Sequence, residues 1–526
     1  MKYIKLLLLT LTLSHIISSC EKSPEEIFDD ITVTINPDFI EYSLQIQFID
    51  AADPAKTIED LSITILGANK DAILESSGEQ NFQVIDGRTF LTLKPELAPS
   101  GPDAQIFFQI LAEAPGYLPV NTDAFFDYDE KDKNLIVTMI NTENPPEGVG
   151  YISTQVTLEG NALPEDFDLT LDPGSSKATG ATLVLEEGTQ FKDASGSVLS
   201  GSNLQIQLTH FDPFGDAALN AYPGGFTPES VIGPSGSSED IVFDTAGFAS
   251  INMQVDGTKV KEFTKPLKII MDIDEELNMF NTDTPLKTGD QIPVWSYEIE
   301  DNTWQFEKNT TIQEDSGKLS ATFTTTHLSW YNLDFYGSRC RYANPIKINA
   351  PNLSSTYFYI ELVSPYTQRT IKARSVYLRD GQNLNFRNCP NFPVIYKVYS
   401  RNGWYNKGDL LFESDATNLC AQELTITIPP ESIPTPVSID LTFTCSDKNF
   451  AIKPSYGFYY KEVGTRYWNY AYMTNGKASS SLIKKGDVVE FWIYIAGRVV
   501  RFEQTVGEEN TIINHEIDAA ICDQYL

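Results

Sequence analysis

Histidine is nearly absent from this chain. Four occur in 526 residues, and only His210, His327 and His515 lie beyond residue 20. A zinc centre built on so few would need long-range convergence, because no CxxC pair supplies a local half-site. Also missing are the GxSxG elbow, the HExxH helix, the phosphate-binding P-loop and the dinucleotide fingerprint. Paired carboxylates for glycoside hydrolysis are spatial, so the sequence does not reveal them. Few histidines and many short β segments argue against an enzyme, and no cofactor or metal is expected. Basic residues are also scarce, at 38 against 72 acidic, a net charge of −34. Duplex binding relies on a basic face, so nucleic acid is excluded as a partner. Finally, no apolar run approaches the roughly 20 residues that span a bilayer.

What is present begins with an address. Lys2 and Lys5 precede a short apolar run through Leu6–Leu9, Leu11, Leu13, Ile16 and Ile17. That is the pattern of a secretory signal, and residues 1–19 are set aside from fold reasoning. The quartet Ile17-Ser18-Ser19-Cys20 resembles the bacterial lipobox. The resemblance implies that Cys20 receives diacylglycerol, carries palmitate-type acyl chains and becomes the mature N-terminus. Residues 20–30 then form an acidic tether, similar to the post-cysteine signal of Bacteroidota-type surface lipoproteins. The implied location is the outer membrane, facing the cell exterior, with the membrane as partner through the lipid.

The charge is unevenly spread. Residues 20–339 hold 17 basic and 54 acidic side chains, and residues 340–526 hold 19 and 18. Acidity keeps a crowded surface protein soluble. The distribution predicts an acidic stalk near the anchor and a neutral head far from it. Five cysteines besides Cys20 fall in the second part: Cys340, Cys389, Cys420, Cys445 and Cys522. An exported chain permits disulfides. Five is odd, so at least one thiol stays free or pairs elsewhere, and the pairing is left open.

The body of the chain reads as strands. Apolar and polar residues alternate in runs such as Tyr42–Phe48 and Leu204–Leu208, bounded by turn residues. Period two predicts one buried face and one wet face. Turn-limited spacing predicts an all-β chain of tandem β-sandwiches, Ig-like or transthyretin-like. The expected boundaries are 31–145, 146–338, 339–430 and 431–526. Residues 58–67 and 112–119 resemble carboxypeptidase-regulatory-like modules, which implies a structural spacer. The ordered series from Thr182 through Tyr222-Pro-Gly-Gly-Phe226, Asp244–Phe248, Pro285–Trp295 and Trp304 to His327–Asn332 resembles the paired sandwich modules of ankyrins and netrin receptors. The last two segments share features at a spacing near 90 residues, which suggests duplication. Pro429, Pro430, Pro434 and Pro436 mark a stiff joint between them.

Three kinds of candidate site remain. The related modules that cut themselves do so at a His-Leu-Ser type of tripeptide, which makes His327 the base and Ser329 the nucleophile on the Leu328–Ser329 bond. The same tripeptide also serves as ordinary strand. The acidic clusters Asp127–Asn134 and Asp272–Asn278 alternate carboxylates, as calcium loops do, but neither has EF-hand spacing, and solvated hairpin turns are the better reading of both. Aromatics make up 28 of residues 340–526. Trp404 and Tyr405 sit in a polar stretch, and Tyr467, Trp468, Tyr470 and Tyr472 form an alternating run. Exposed rings stack on the apolar faces of sugars, and buried rings simply pack a core. The arrangement resembles accessory lipoproteins of glycan uptake. It implies a non-enzymatic binding or adhesion protein with glycan or a surface protein as partner. A structural subunit of an outer-membrane complex is the alternative.

Overall fold

The structure is a computed structural model. It describes residues 33–35 and 41–523, apart from 76–77, 102–103, 129–130, 173–179, 316, 352, 354–355, 402–406, 431–435, 446–449, 466–467, 496–497 and 508–509. Cys20 and its tether lie outside the described residues. The described chain is almost wholly β, in seven sheets with a few short helical turns. No described helix is long and apolar enough to cross a membrane. Two compact units emerge. One holds residues 42–436 with 464–469, and the other holds the N-terminal segment with 437–463 and 470–526.

The larger unit begins with a sandwich. Ser43–Asp50 is the centre of one sheet, antiparallel to Arg88–Leu93 and parallel to Asp132–Met139. Ser62–Leu66, Ile106–Glu113 and Val120–Phe126 form the facing sheet. Ile46, Phe108, Ile110 and Phe126 are fully shielded between them. The alternation in Tyr42–Phe48 does not give a wet face here. Gln45 and Gln47 are buried as well, so both sides of this central strand are covered. Leu204–Leu208 does alternate, with Leu204, Ile206 and Leu208 buried and the glutamines between them half-buried.

Fourteen strands of residues 149–390 join in one further sheet. Its longest strands, Ile241–Val255, Thr303–Asp315 and Trp330–Tyr342, serve two cores in turn. One core is aliphatic, around Leu183, Ile206, Ile269 and Val294. The other is aromatic, with Tyr222, Phe243, Phe248, Trp295 and Trp304 packed ring on ring. A β-bulge between Thr245 and Phe248 lets Ile241–Val255 pass from one core to the other. Gly247 sits in that bulge at φ 133°, a backbone region L side chains rarely adopt.

Trp330–Tyr342 carries on past residue 338. It pairs with Arg387–Pro390, so Cys340 faces Cys389 across the ladder. The boundary expected at 338 thus falls inside a strand. Cys340 is bonded instead to Cys420, across 80 residues, and this closes a fourth core around Ile360, Val398 and Ile426. Cys389 is the odd thiol, and it is buried.

The smaller unit contains two sheets. Gly457–Glu462, Val488–Ile495, Arg498–Thr505 and Asn469–Tyr472 form one. Val437–Cys445 organises the other, with Asn510–Ile517 alongside it in parallel and Lys477–Ser480 antiparallel. A second disulfide, Cys445–Cys522, spans 77 residues. The N-terminal strand Val33–Ile35 also belongs here. It runs parallel to Phe450–Ile452, with Val33 opposite Phe450. The expectation that residues from 31 onward open the first sandwich is therefore corrected. That sandwich begins at Tyr42, and the strand before it completes a sheet of the C-terminal unit. The expected stalk of residues 20–339 is not a unit of its own, since residues 42–436 cluster together.

Candidate functional site

Within the larger unit, six separate stretches of chain converge on one cleft. Its lining includes Phe226, Phe243, Asp244, Phe280, Arg369 and Phe392. Its cavity is small, about 20 Å³ of room for water-sized groups. Asp244 and Thr245 come from the long strand just before its bulge. There Thr245 Oγ1 accepts the Gly247 amide at 3.0 Å, which fixes the strand's departure. Arg369 ends a tight turn. Ser364 Oγ accepts the amides of Tyr366 and Thr367, and Ser364 N–H donates to Arg369 O at 2.9 Å. Phe280 and Phe392 meet edge to face at 5.2 Å. They do so over Gly337, where a Cβ would lie 2.5 Å from the Phe280 ring.

An ion pair forms the centre. Arg369 Nη2 donates directly to Asp244 Oδ1. Nη1 donates to Thr245 O at 2.6 Å and reaches Pro213 O at 3.5 Å. Burial pushes the Asp244 carboxyl up, and the guanidinium beside it pulls the other way. Two atoms of lining residues, Arg369 Nε and Asn281 Oδ1, are buried behind the surface, with no hydrogen-bond partner among the described residues. Phe214 lies under the guanidinium at 5.9 Å and is 38% exposed; Tyr366, on the turn, is 49% exposed.

Behind the floor lies a second carboxyl. Asp334 stands opposite Thr245 in the ladder and is fully buried. Tyr222 Oη and Asn332 Nδ2 donate to its Oδ2. Burial pushes it up to about 7. It braces the strand under Asp244 and does not reach the cleft's lining.

The sequence candidates have different fates. Ser329 Oγ donates to Tyr297 O at 2.6 Å, and His327 turns its Nε2 to Glu307 Oε1 at 3.2 Å. The hydroxyl and the imidazole are therefore engaged away from each other, and the tripeptide is an ordinary link between strands. Asp127 pairs with Lys133 at 2.9 Å and Arg387 at 3.3 Å, and Asp129 and Glu130 of the same cluster lie outside the described residues. Asp274 accepts the Glu276 amide within its own turn. Among the described residues, no group of three His, Cys, Asp or Glu is placed to hold a metal. Burial pushes the Cys389 thiol up, away from the reactive thiolate.

The aromatic run in the C-terminal part packs inward. Trp468 is 9% exposed and lies under the Arg88 guanidinium at 5.0 Å. Tyr470 is buried edge-on to Tyr459 at 5.6 Å. Tyr472 is half-buried and donates to Ser455 O at 2.9 Å. These rings fill protein, so they do not offer a free face. Trp404, Tyr405 and Tyr467 lie outside the described residues. The cleft itself escaped sequence reasoning, because its residues are spread from 219 to 392 with no local motif.

No family model matches the chain, and no curated protein matches it. Among solved structures, a streptococcal ancillary pilin aligns at 11% identity, over 44% of this chain and 94% of that one, with a TM-score of 0.14. The Bacillus anthracis TIE protein aligns at 10% identity, over 71% of this chain and 58% of that one, with a TM-score of 0.13. A pilus backbone protein from Streptococcus pneumoniae aligns at 7% identity, over 48% and 92%, with a TM-score of 0.11. TM-scores this low carry no argument about what the chain does.

Proposed function

We propose that the chain is a non-enzymatic binding or adhesion protein of the cell surface, held in the outer membrane by lipid on Cys20. The observation that carries this reading is the aromatic-walled cleft around Arg369 and Asp244. A largely apolar pocket with a few converging polar groups is the usual form of a ligand site. The groups at its centre hold one another in an ion pair and leave no free base or nucleophile, which suits recognition and not turnover. The reading does not need Trp468 or Tyr470. Trp404 and Tyr405 keep the role expected from the sequence, as further rings for a glycan.

The test is fractionation with surface labelling. Wild-type chain should sediment with the outer membrane and be cut by protease added to intact cells. Cys20→Ala should release it to the soluble fraction. Wild-type chain that stays soluble, or that resists protease on intact cells, would overturn the reading. Co-purification with an outer-membrane complex, with no ligand bound, would favour the structural-subunit alternative.

A further inference from the structure

We infer that the Cys340–Cys420 bond is exchangeable within the chain, with Cys389 as the thiol that takes the place of Cys420 on Cys340. This goes beyond the surface-binding reading and does not depend on it. Three cysteines meet at one point of the fold. Cys340, in Trp330–Tyr342, is bonded to Cys420 with their Cα atoms 5.9 Å apart. Cys389, in Arg387–Pro390, stands directly opposite Cys340 in the antiparallel ladder. Directly opposed residues hold their Cα atoms about 4.5–5.5 Å apart and send their side chains to the same face. A disulfide spans about 4.4–6.8 Å between Cα atoms, so Cys340 has two bonding partners within reach. Both side chains belong to the same core, and the Cys420 sulfur lies 3.7 Å from Cys389 O and 3.5 Å from Pro390 O. The bond therefore rests against the residue whose thiol would open it.

The step balances within the molecule. The Cys389 thiol loses its proton, and the thiolate attacks Cys340 Sγ. A Cys340–Cys389 bond forms, the Cys340–Cys420 bond breaks, and Cys420 leaves as a thiolate that takes up a proton. One disulfide and one thiol remain, so no oxidant or reductant is consumed. Burial pushes the Cys389 thiol up and makes its thiolate scarce, while the Lys372 and Arg374 cations of Thr370–Leu378 pull the other way. Lys372 Nζ is held in place, donating to Arg387 O at 3.0 Å and to Thr227 Oγ1 at 3.2 Å. Burial lowers Lys372 to about 8, so Arg374 alone keeps its charge in alkali. Tyr396 faces the thiol from Ile395–Arg401. The exchange is therefore slow, and the fully buried Cys389 is out of reach of outside thiols. The two states differ in what they show to solvent. With Cys340–Cys420 closed, the free thiol is sealed in the core. With Cys340–Cys389 closed, the free thiol is Cys420, half-buried on the turn after Asn418. The exchange thus converts a hidden thiol into one that outside reagents can meet.

The experiment uses the full mature chain without its lipid, Cys20→Ser, in its oxidised form. Samples are held at pH 6 and at pH 8.5 and quenched with acid. They are alkylated with N-ethylmaleimide in denaturant at pH 6, then digested without reduction for peptide mass mapping. Expected at pH 6 is a Cys340–Cys420 peptide, with the label on Cys389. Expected at pH 8.5 is a Cys340–Cys389 peptide that grows with time while the label moves to Cys420. The thiol count should stay at one per chain, and the rate should not depend on protein concentration. Because the thiolate is the nucleophile, the rate at pH 8.5 should exceed that at pH 6 about 100-fold. The Cys445–Cys522 peptide is the internal control and should not change. Cys420→Ser, oxidised with glutathione disulfide, should close Cys340–Cys389 and keep a cooperative melt. If that variant does not fold, the wild-type time course decides alone. No Cys340–Cys389 peptide from the wild-type chain at pH 8.5 would overturn the inference. Disulfides between chains, forming at a rate that rises with concentration, would overturn it too. So would a folded Cys420→Ser chain that keeps Cys340 and Cys389 as free thiols, since Cys389 is then an ordinary core residue.

Discussion

Two aromatic regions of this molecule behave in opposite ways. In the C-terminal unit, Tyr459, Tyr470 and Trp492 pack edge to face at 5.6 Å and are closed to solvent. Around Arg369, the rings surround a cleft, and Phe214 and Tyr366 stand exposed. Enrichment in aromatics pointed to the first region, and accessibility points to the second. The lesson lies in what faces each ring. Gly457 has no side chain, and its place is filled by the Tyr470 ring, so that ring turns inward. On the turn at 364–369, the hydrogen bonds close among backbone and Ser364 and leave Tyr366 pointing to water.

The comparison breaks most sharply at Trp492. Trp492→Ala should remove about 3–5 kcal/mol from the C-terminal unit. The check is a melting curve followed by tryptophan fluorescence, with cleft affinity unchanged. A shift no larger than that of a surface substitution would mean that this aromatic cluster is not a core.

Asp334 provides an intermediate effect with a sign. Its folded-state pKa, about 7, lies above the ordinary 3.8. The protonated form is therefore the one the fold prefers. Its stabilisation is whole below pH 4 and is lost as pH rises through about 7. Asp334→Asn should leave stability little changed at pH 4 and raise it at pH 8, by roughly 1–4 kcal/mol. Denaturant melts of the two chains at both pH values give the difference. Equal differences at pH 4 and pH 8 would show that Asp334 ionises freely in the fold.

The smallest stability change belongs to Tyr366. Exposed and away from any core, Tyr366→Ala should shift stability by less than about 0.5 kcal/mol. Set beside Trp492→Ala, it sharpens the contrast: one ring holds the fold and the other stands clear of it. A large loss of stability at Tyr366 would put both rings in the same class.

The all-β class was legible because alternation and turn residues are local signals. So was an unpaired thiol, from the odd cysteine count that ends in Cys389. Strand Ser43–Asp50 was only half legible. Its polar positions read as solvent-facing, yet Gln45 and Gln47 are covered on the second side as well. Period two shows which residues share a face, not whether water reaches it. The partner of Val33–Ile35 was illegible, because nothing in three residues names Phe450–Ile452. The cleft was illegible for the same reason: Asp244 and Arg369 become partners only when a bulged strand and a distant turn meet.

The pairing of Val33–Ile35 with Phe450–Ile452 also has a mechanical side. The chain passes through those three residues before it reaches the first sandwich at Tyr42. A ladder of three residues holds few backbone hydrogen bonds, whereas Val437–Cys445 and Asn510–Ile517 pair over eight. Pulling on the chain ahead of Val33 should therefore strip this strand away while the longer ladder stays paired and the Cys445–Cys522 bond keeps its loop closed.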